Sequence, residues 1–197
     1  MVFPLNIALN GTEEAATATS MPNLRLFGVG TQWSTVPFFS PNSTAGNPPW
    51  WAFPPNTWVQ ANQSNVFSFS AVCFMAAREI MKLRGTTTRP VGLVLSAVAG
   101  TNIQSWMSDE ALAACGPRPS QPRQSLFNGM LAPFKRLSVR SVLYYQGESN
   151  SGDPGDYSCL FGSLIDSWRS LMPVGSYGFN FVQLPPSLAP NDTAADS

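Results

Sequence analysis

The stretch Ser141-Val142-Leu143-Tyr144-Tyr145-Gln146-Gly147-Glu148-Ser149-Asn150 decides how this chain reads. Its first half is apolar at almost every position, as expected of a parallel strand covered on both faces, and a dense polar cluster follows at once. Open α/β sheets bind ligands beyond the carboxyl ends of their strands, so position alone makes the cluster a candidate site. Gln146 can donate an amide hydrogen bond to a developing oxyanion, Gly147 lets a substrate approach the backbone, and Glu148 can orient or accept from sugar hydroxyls. A plain polar turn accounts for the same residue types.

Three further apolar runs have strand length: Leu24 to Val29, Val91 to Val98 and Phe179 to Gln183. Between the first two, Phe69, Val72, Cys73, Ala76, Ile80 and Leu83 mark one face of a helix over Asn65 to Arg84, with Ser64 to cap its start and Gly85 its end. A second helix runs from Tyr157 to Leu171, with Leu160, Leu164, Ile165 and Trp168 on one side and Pro173 as its stop. Strand and helix alternate, which argues for an open α/β sheet with right-handed crossovers. Met1 to Ala16 also reads as helical, with Glu13 and Glu14 solvated. Thr31 to Ala61 mixes prolines with Trp33, Phe38, Phe39, Trp50, Trp51, Phe53 and Trp58 and fits no periodic element. Such a loop either walls a sugar-binding cleft with aromatic faces or anchors itself to the core. From Pro185 onward the composition is that of a disordered end, so the expected organisation is one domain over 1–185 and a tail over 186–197.

A second strand-end cluster, Ser96 through Trp106, can aim a backbone N–H near Gly100 into the same crevice, as half of an oxyanion hole. The alternative is a helix start through Thr101 or Asn102 with Trp106 packed as core. Ser149 invites a nucleophile-elbow reading, because Gly147-Glu148-Ser149-Asn150-Ser151 nearly fits Gly-x-Ser-x-Gly. The fifth position is serine, and a turn-rich loop follows where an elbow requires an immediate helix.

Composition narrows the chemistry. The chain has 197 residues, 11 Lys+Arg against 11 Asp+Glu, and no histidine. A neutral balance without a basic run leaves no electrostatic footprint for nucleic acid or anionic membrane. The missing histidine excludes a self-contained Ser/His or Cys/His hydrolase and most zinc sites, so no cofactor or metal is expected. No run reaches the roughly 18 consecutive apolar residues of a membrane span, and Met1 to Asn10 lacks the features of an export signal. Asn10-Gly11-Thr12, Asn42-Ser43-Thr44, Asn62-Gln63-Ser64 and Asn191-Asp192-Thr193 nonetheless match the N-glycosylation acceptor pattern, which matters only in a secretory compartment. Cys73, Cys115 and Cys159, odd in number and widely spaced, suggest neither a disulfide framework nor a metal knuckle; Cys73 is expected to pack in a helix.

Taken together the clusters resemble the sialate O-acetylesterase family, a branch of the SGNH hydrolases acting on acetylated sugars. The resemblance rests on Pro22 through Phe27, Phe69 through Phe74, Gly100-Thr101 through Trp106, Leu126-Phe127-Asn128-Gly129-Met130-Leu131-Ala132-Pro133-Phe134, and Tyr145 through Asn150. It implies a flavodoxin-like, three-layer parallel sheet, with Gly100 and Gln146 holding the oxyanion and Trp106, Gly147, Glu148 and Asn150 lining the substrate pocket. This chain departs from the family in having Ala99-Gly100 where two glycines are usual and Gln104 where glutamate is common. Family members carry Gly-Gln-Ser-Asn-Met after their first strand, and its serine is the nucleophile. Met1 resembles the last residue of that motif, which implies that the nucleophile, the central first strand and a downstream Asp-x-x-His pair all lie outside this chain.

In a 2-1-3-4-5 sheet, Leu24 to Val29 and Val91 to Val98 would flank that central strand. Its loss would remove on the order of five to ten ladder hydrogen bonds, each worth roughly 0.5 to 1.5 kcal/mol. Set against a typical stability of about 5 to 15 kcal/mol, the isolated chain is expected to be marginal or unfolded, and inactive. The leading expectation is the interior of a sugar O-acetylesterase from the secretory pathway, lysosomal or extracellular. A non-catalytic sugar-binding module and an interaction fragment with exposed sheet edges are the alternatives.

Overall fold

The structure is a computed structural model that describes residues 2–41, 55–84, 89–116, 125–152, 155–172 and 177–185. Its strands are β1 (Leu24–Gly28), β2 (Trp58–Gln60), β3 (Val91–Leu95), β4 (Ser141–Tyr144) and β5 (Gly178–Phe181). Its α-helices are α1 (Gly11–Ala16), α2 (Gln63–Phe67), α3 (Ala71–Arg84), α4 (Asp109–Ala113) and α5 (Tyr157–Leu171). The four apolar runs thus form strands, and the α/β class with parallel pairing holds. β1 pairs in parallel with β3, Leu24 opposite Val91 through Gly28 opposite Leu95, and β4 pairs in parallel with β5, Ser141 opposite Gly178 through Tyr144 opposite Phe181.

Side chains of successive strand residues point to opposite faces, and β1 uses both. Leu24 and Leu26 join a core with Leu5, Phe69, Phe74, Met81 and Leu95 beneath α3, whereas Phe27 and Val29 join a second core with Ile103, Met130, Tyr144, Leu160, Leu164 and Trp168 beneath α5. Many of these residues are fully buried, each worth about 1.5–3 kcal/mol. Helix α5 buries Leu160, Leu164 and Trp168, the face its sequence pattern marks; Pro173 lies outside the described residues.

Several expectations change. The helix expected over Asn65 to Arg84 is two helices, broken at Ser68–Ser70. Asn62 rather than Ser64 caps α2, its side chain accepting from Asn65 N–H. Ser70 Oγ then accepts from Cys73 N–H at 3.3 Å and starts α3 afresh. The restart shifts the buried face to Ala71, Cys73, Phe74, Ala77 and Met81, leaving Leu83 87% exposed, while Phe69 is buried from the break. Gly85, the expected helix end, lies outside the described residues. Met1 to Ala16 is helical in part, but Glu14 is not simply solvated, because it pairs with Arg78 of α3.

The proline-rich stretch holds an unexpected strand, β2, antiparallel to β1, with Trp58 opposite Phe27 and their rings 5.1 Å apart. Residues 42–54 of that stretch and 186–197 of the expected tail lie outside the described residues. Cys115 and Cys159 form a disulfide between the end of α4 and the first turn of α5, contrary to the reading of their spacing, while Cys73 is free and buried.

The sheet is not continuous. Leu24–Gly28 and Val91–Leu95, expected to flank a missing strand, pair directly with each other, and the interruption falls between β3 and β4. A cleft of about 1560 Å³ occupies that place, lined by residues 91–98 and 141–145. The expectation of strands covered on both faces therefore holds for β1 but not for β3, β4 or β5, whose residues are mostly half-buried or exposed.

Candidate active site

The loop after β3 and the turn after β4 meet at the carboxyl ends of their strands through one hydrogen-bonded network. Asn150 sits at its centre, 8% exposed. Its side-chain oxygen accepts from Ile103 N–H at 2.9 Å and from Gln146 Nε2 at 2.8 Å, and its amide nitrogen donates to Gln104 Oε1 at 3.0 Å. Gln146 Nε2 also donates to the Thr101 carbonyl at 3.2 Å. The Gln146 Oε1 atom accepts from the hydroxyls of Tyr144, at 3.1 Å, and Tyr157, at 2.9 Å. The half-buried Gln146 amide, with both hydrogens and its oxygen engaged, is held in one orientation.

Two backbone devices shape this crevice. Gly147 leaves β4 at φ 149°, a conformation side-chain-bearing residues rarely adopt, and so turns the chain into the single 3₁₀ turn Glu148–Asn150. Gly100 adopts φ 71° with no atom within 4 Å of where a Cβ would stand, so open space adjoins its backbone. Asn102 caps the next 3₁₀ turn, Ile103–Trp106, by accepting from Ser105 N–H.

Burial pushes the Tyr144 hydroxyl well above the usual tyrosine range, with the neighbouring Tyr157 adding to the effect. Tyr157 is raised as well, chiefly by burial. Both phenols are therefore neutral donors at physiological pH. Glu148 is exposed, and its carboxylate has no hydrogen-bond or ion-pair partner among the described residues, which leaves it available to a ligand. Among the described residues no three His, Cys, Asp or Glu gather as a metal site, and no helix is long and apolar enough to cross a membrane.

The expected site residues thus come together, with four changes of role. Asn150, expected to line the pocket, is buried at the centre of the network, and the space beside Gly147, expected to admit substrate, is filled by Leu184. Both hydrogens of the Gln146 amide are spent inside the network, so in this arrangement its donor is not free for an oxyanion. Trp106 is 6% exposed, and its indole N–H donates to Thr101 Oγ1 at 3.0 Å, so it supports the loop from below and borders the cleft with little exposed surface. Tyr144 reads as a position of the apolar strand and Tyr157 as the start of the second helix, so neither is expected as a polar participant. The segment Leu126 through Phe134 contributes from the side: its π-helical turn Phe127–Leu131 presents the Met130 carbonyl to Ser96 Oγ at 3.1 Å, and Asn128 Nδ2 donates to the Ser34 carbonyl at 3.3 Å.

Known proteins share the sequence pattern and the fold of this chain. The family model described as carbohydrate esterase, sialic acid-specific acetylesterase, matches residues 46–192. The chain belongs to this family. Human sialate O-acetylesterase is 36% identical over 139 residues, 61% of this chain and 26% of that protein. The rat sialate O-acetylesterase is 30% identical over 175 residues, 66% of this chain and 32% of that protein. A crystal structure of a carbohydrate acetylesterase from Xanthomonas citri superposes with a TM-score of 0.76 at 30% identity, covering 93% of this chain and 39% of the other. This acetylesterase-family chain therefore spans roughly a quarter to two fifths of the length of the relatives it matches.

Proposed function

We propose that these residues form the substrate-holding part of a carbohydrate O-acetylesterase site, with sialic acid esters as the substrate class. The observation that carries the reading is the Gln146–Asn150–Thr101–Gln104 network, which joins the two strand-end loops into one polar floor beside the free Glu148 carboxylate. Glu148 accepts hydroxyls of the bound sugar, Gly147 makes the turn that presents Glu148, and Asn150 holds the floor in place. Gly100 N–H is the first oxyanion donor. Gln146 becomes the second by exchanging its 3.2 Å bond to Thr101, the longest it makes, for the developing negative charge.

The sequence contains no histidine, so the proton carrier is not in this chain, and the reading assigns it and the attacking serine to polypeptide outside these residues. In the complete site the serine oxygen adds to the acetyl carbonyl, histidine takes its proton and passes it to the departing sugar oxygen, and water then frees acetate from the acyl-enzyme. The secretory route belongs to the same proposal. It is supported by the Cys115–Cys159 disulfide and by the exposed acceptor residues Asn10 and Asn62.

Treatment of the purified 197-residue chain with a serine-directed fluorophosphonate, in parallel with an acetate-release assay on O-acetylated sialic acid, tests the assignment. The expected result is neither labelling nor acetate. Saturating labelling at one serine with turnover of the ester overturns it.

A further inference from the structure

Cations gather where β3 and β4 begin, at the end of the sheet opposite the candidate site. Arg84 and Arg89 precede β3, Lys135, Arg136 and Arg140 precede β4, and all are exposed. Among the described residues none of them has an ion-pair partner. The two stretches that carry them, 84–91 and 132–141, contain no acidic residue. A chain whose formal charge is zero therefore builds a basic end by folding. Cations favour a helix C-terminus, which accounts for Arg84 at the end of α3. The others lie on no α-helix, so the helix dipole does not explain them.

Part of this surface is ordered in advance. Lys135 Nζ and Arg136 Cζ stand 5.0 Å and 4.9 Å from the centre of the Phe39 ring. Phe39 is 69% exposed, and its loop is pinned to the segment before Lys135, since Phe38 N–H donates to the Asn128 carbonyl at 2.9 Å. Contacts between cations and an exposed ring restrict the side chains while their charges still face water. Side chains ordered beforehand lose less freedom on binding. Arg84, Arg89 and Arg140 line the cleft between β3 and β4 at the end where those strands begin. At most about 3.6 Å of chain per residue keeps the Cα atoms of Arg136 and Arg140 within about 14 Å, so clasp and cleft rim form one basic surface.

We propose that this basic end binds a linear sulfated polysaccharide. The surface runs from the exposed Phe39 clasp to the recessed rim of the cleft, a path that a flexible chain follows and a flat bilayer does not. The Phe39 ring already carries two cations, which leaves no free face there to stack a nucleobase. Sulfates stay ionised throughout the physiological pH range and accept charge-assisted hydrogen bonds from arginine and lysine. A heavily sulfated sugar chain also carries more charge per unit length than an acidic polypeptide, which suits cations this concentrated. The basic end lies apart from the polar floor, so the proposal stands whether or not that floor serves an esterase.

The test titrates the purified full chain with a heparin octasaccharide by calorimetry over a series of salt concentrations. Saturable binding is expected, weakening steeply with salt because bound cations displace the glycan's counterions. Lys135→Gln with Arg136→Gln should weaken it on the order of tenfold and make the salt dependence shallower. Phe39→Ala leaves the charge unchanged and should still weaken binding several-fold, because it releases the clasp. Ala113→Glu with Ser158→Glu changes the net charge as much as the first pair does, at exposed positions near the Cys115–Cys159 disulfide. Lying well beyond a screening length from the basic end, that second pair should leave the affinity within about twofold. Equal weakening by the two charge pairs shows attraction to the chain as a whole, folded or not, and overturns the proposal. So does the absence of binding, or equal affinity for poly-glutamate, single-stranded DNA or phosphatidylserine vesicles, which shows an unselective basic surface.

Discussion

The amide nitrogen of Gln146 donates to the side-chain oxygen of Asn150 across 2.8 Å, and the same oxygen accepts from Ile103 N–H at 2.9 Å. One buried carboxamide thus ties the end of β4 to the loop after β3 across the interrupted sheet. Side chains do there what a shared ladder does elsewhere.

Asn150→Ala removes these bonds and strands the buried Ile103 N–H and the half-buried Gln104 Oε1. Each unsatisfied group costs about 1–3 kcal/mol, so a loss at the upper end of that range is expected in urea unfolding. Asn150→Asp keeps the acceptor and should cost clearly less, since Gln104 can turn its own amide to donate. Equal losses in the two variants would contradict the network.

Gly147→Ala tests the turn. The added methyl meets Leu184 Cδ1 at 2.7 Å, the far end of a flexible side chain, so steric conflict is minor and the φ of 149° is the main obstacle. Backbone strain of this kind costs about 1–3 kcal/mol. The expected outcome is a loss of that size in thermal unfolding, with the Gln146 and Asn150 side-chain amide resonances shifted because Glu148–Asn150 must re-aim.

Reduction of Cys115–Cys159 opens a loop with a sequence separation of 44 residues, for which chain entropy predicts about 4 kcal/mol of lost stability. The α4–α5 contact should nonetheless persist in the reduced native state. Ser163 Oγ still donates to the Ala111 carbonyl at 2.7 Å, and Trp168 Nε1 to the Trp106 carbonyl at 2.9 Å. A lowered melting temperature with unchanged native tryptophan fluorescence is expected. A changed native spectrum would show that the disulfide alone holds α4.

How much of this was legible in the sequence depended on the range of the interaction. β1, β3, β4, β5 and α5 follow from local apolar patterns, and the Gln146–Asn150 pair lies inside one motif. β2 carries no pattern, because three residues become a strand only by pairing with β1 and setting Trp58 against Phe27. The break before α3 depends on Ser70 acting as a cap, which a continuous helical period conceals. Cys115 and Cys159 look unrelated until the fold brings α4 onto α5. Tyr157 and Gln104 reach Gln146 and Asn150 from distant segments, so the network's composition emerges only in three dimensions.

The paired phenols give the stability a pH dependence whose sign is fixed. Burial raises the Tyr144 hydroxyl first and most, with the Tyr157 charge and their mutual hydrogen bond adding to it. Tyr157 is raised by burial and by the Glu148 carboxylate, partly opposed by its bond to Tyr144. In the unfolded chain both ionise near about pH 10. The native state keeps protons that the unfolded state releases, so the contribution is complete below about pH 10 and is lost as pH rises above it. Urea unfolding should therefore show little tyrosine-linked change between about pH 8 and 9, then a steep decline. Tyr144→Phe should flatten that decline more than Tyr157→Phe; the first loses one contact to Gln146, the second its contacts to both the side-chain and the backbone oxygen of Gln146. A decline of unchanged steepness in Tyr144→Phe would remove this pair as its cause.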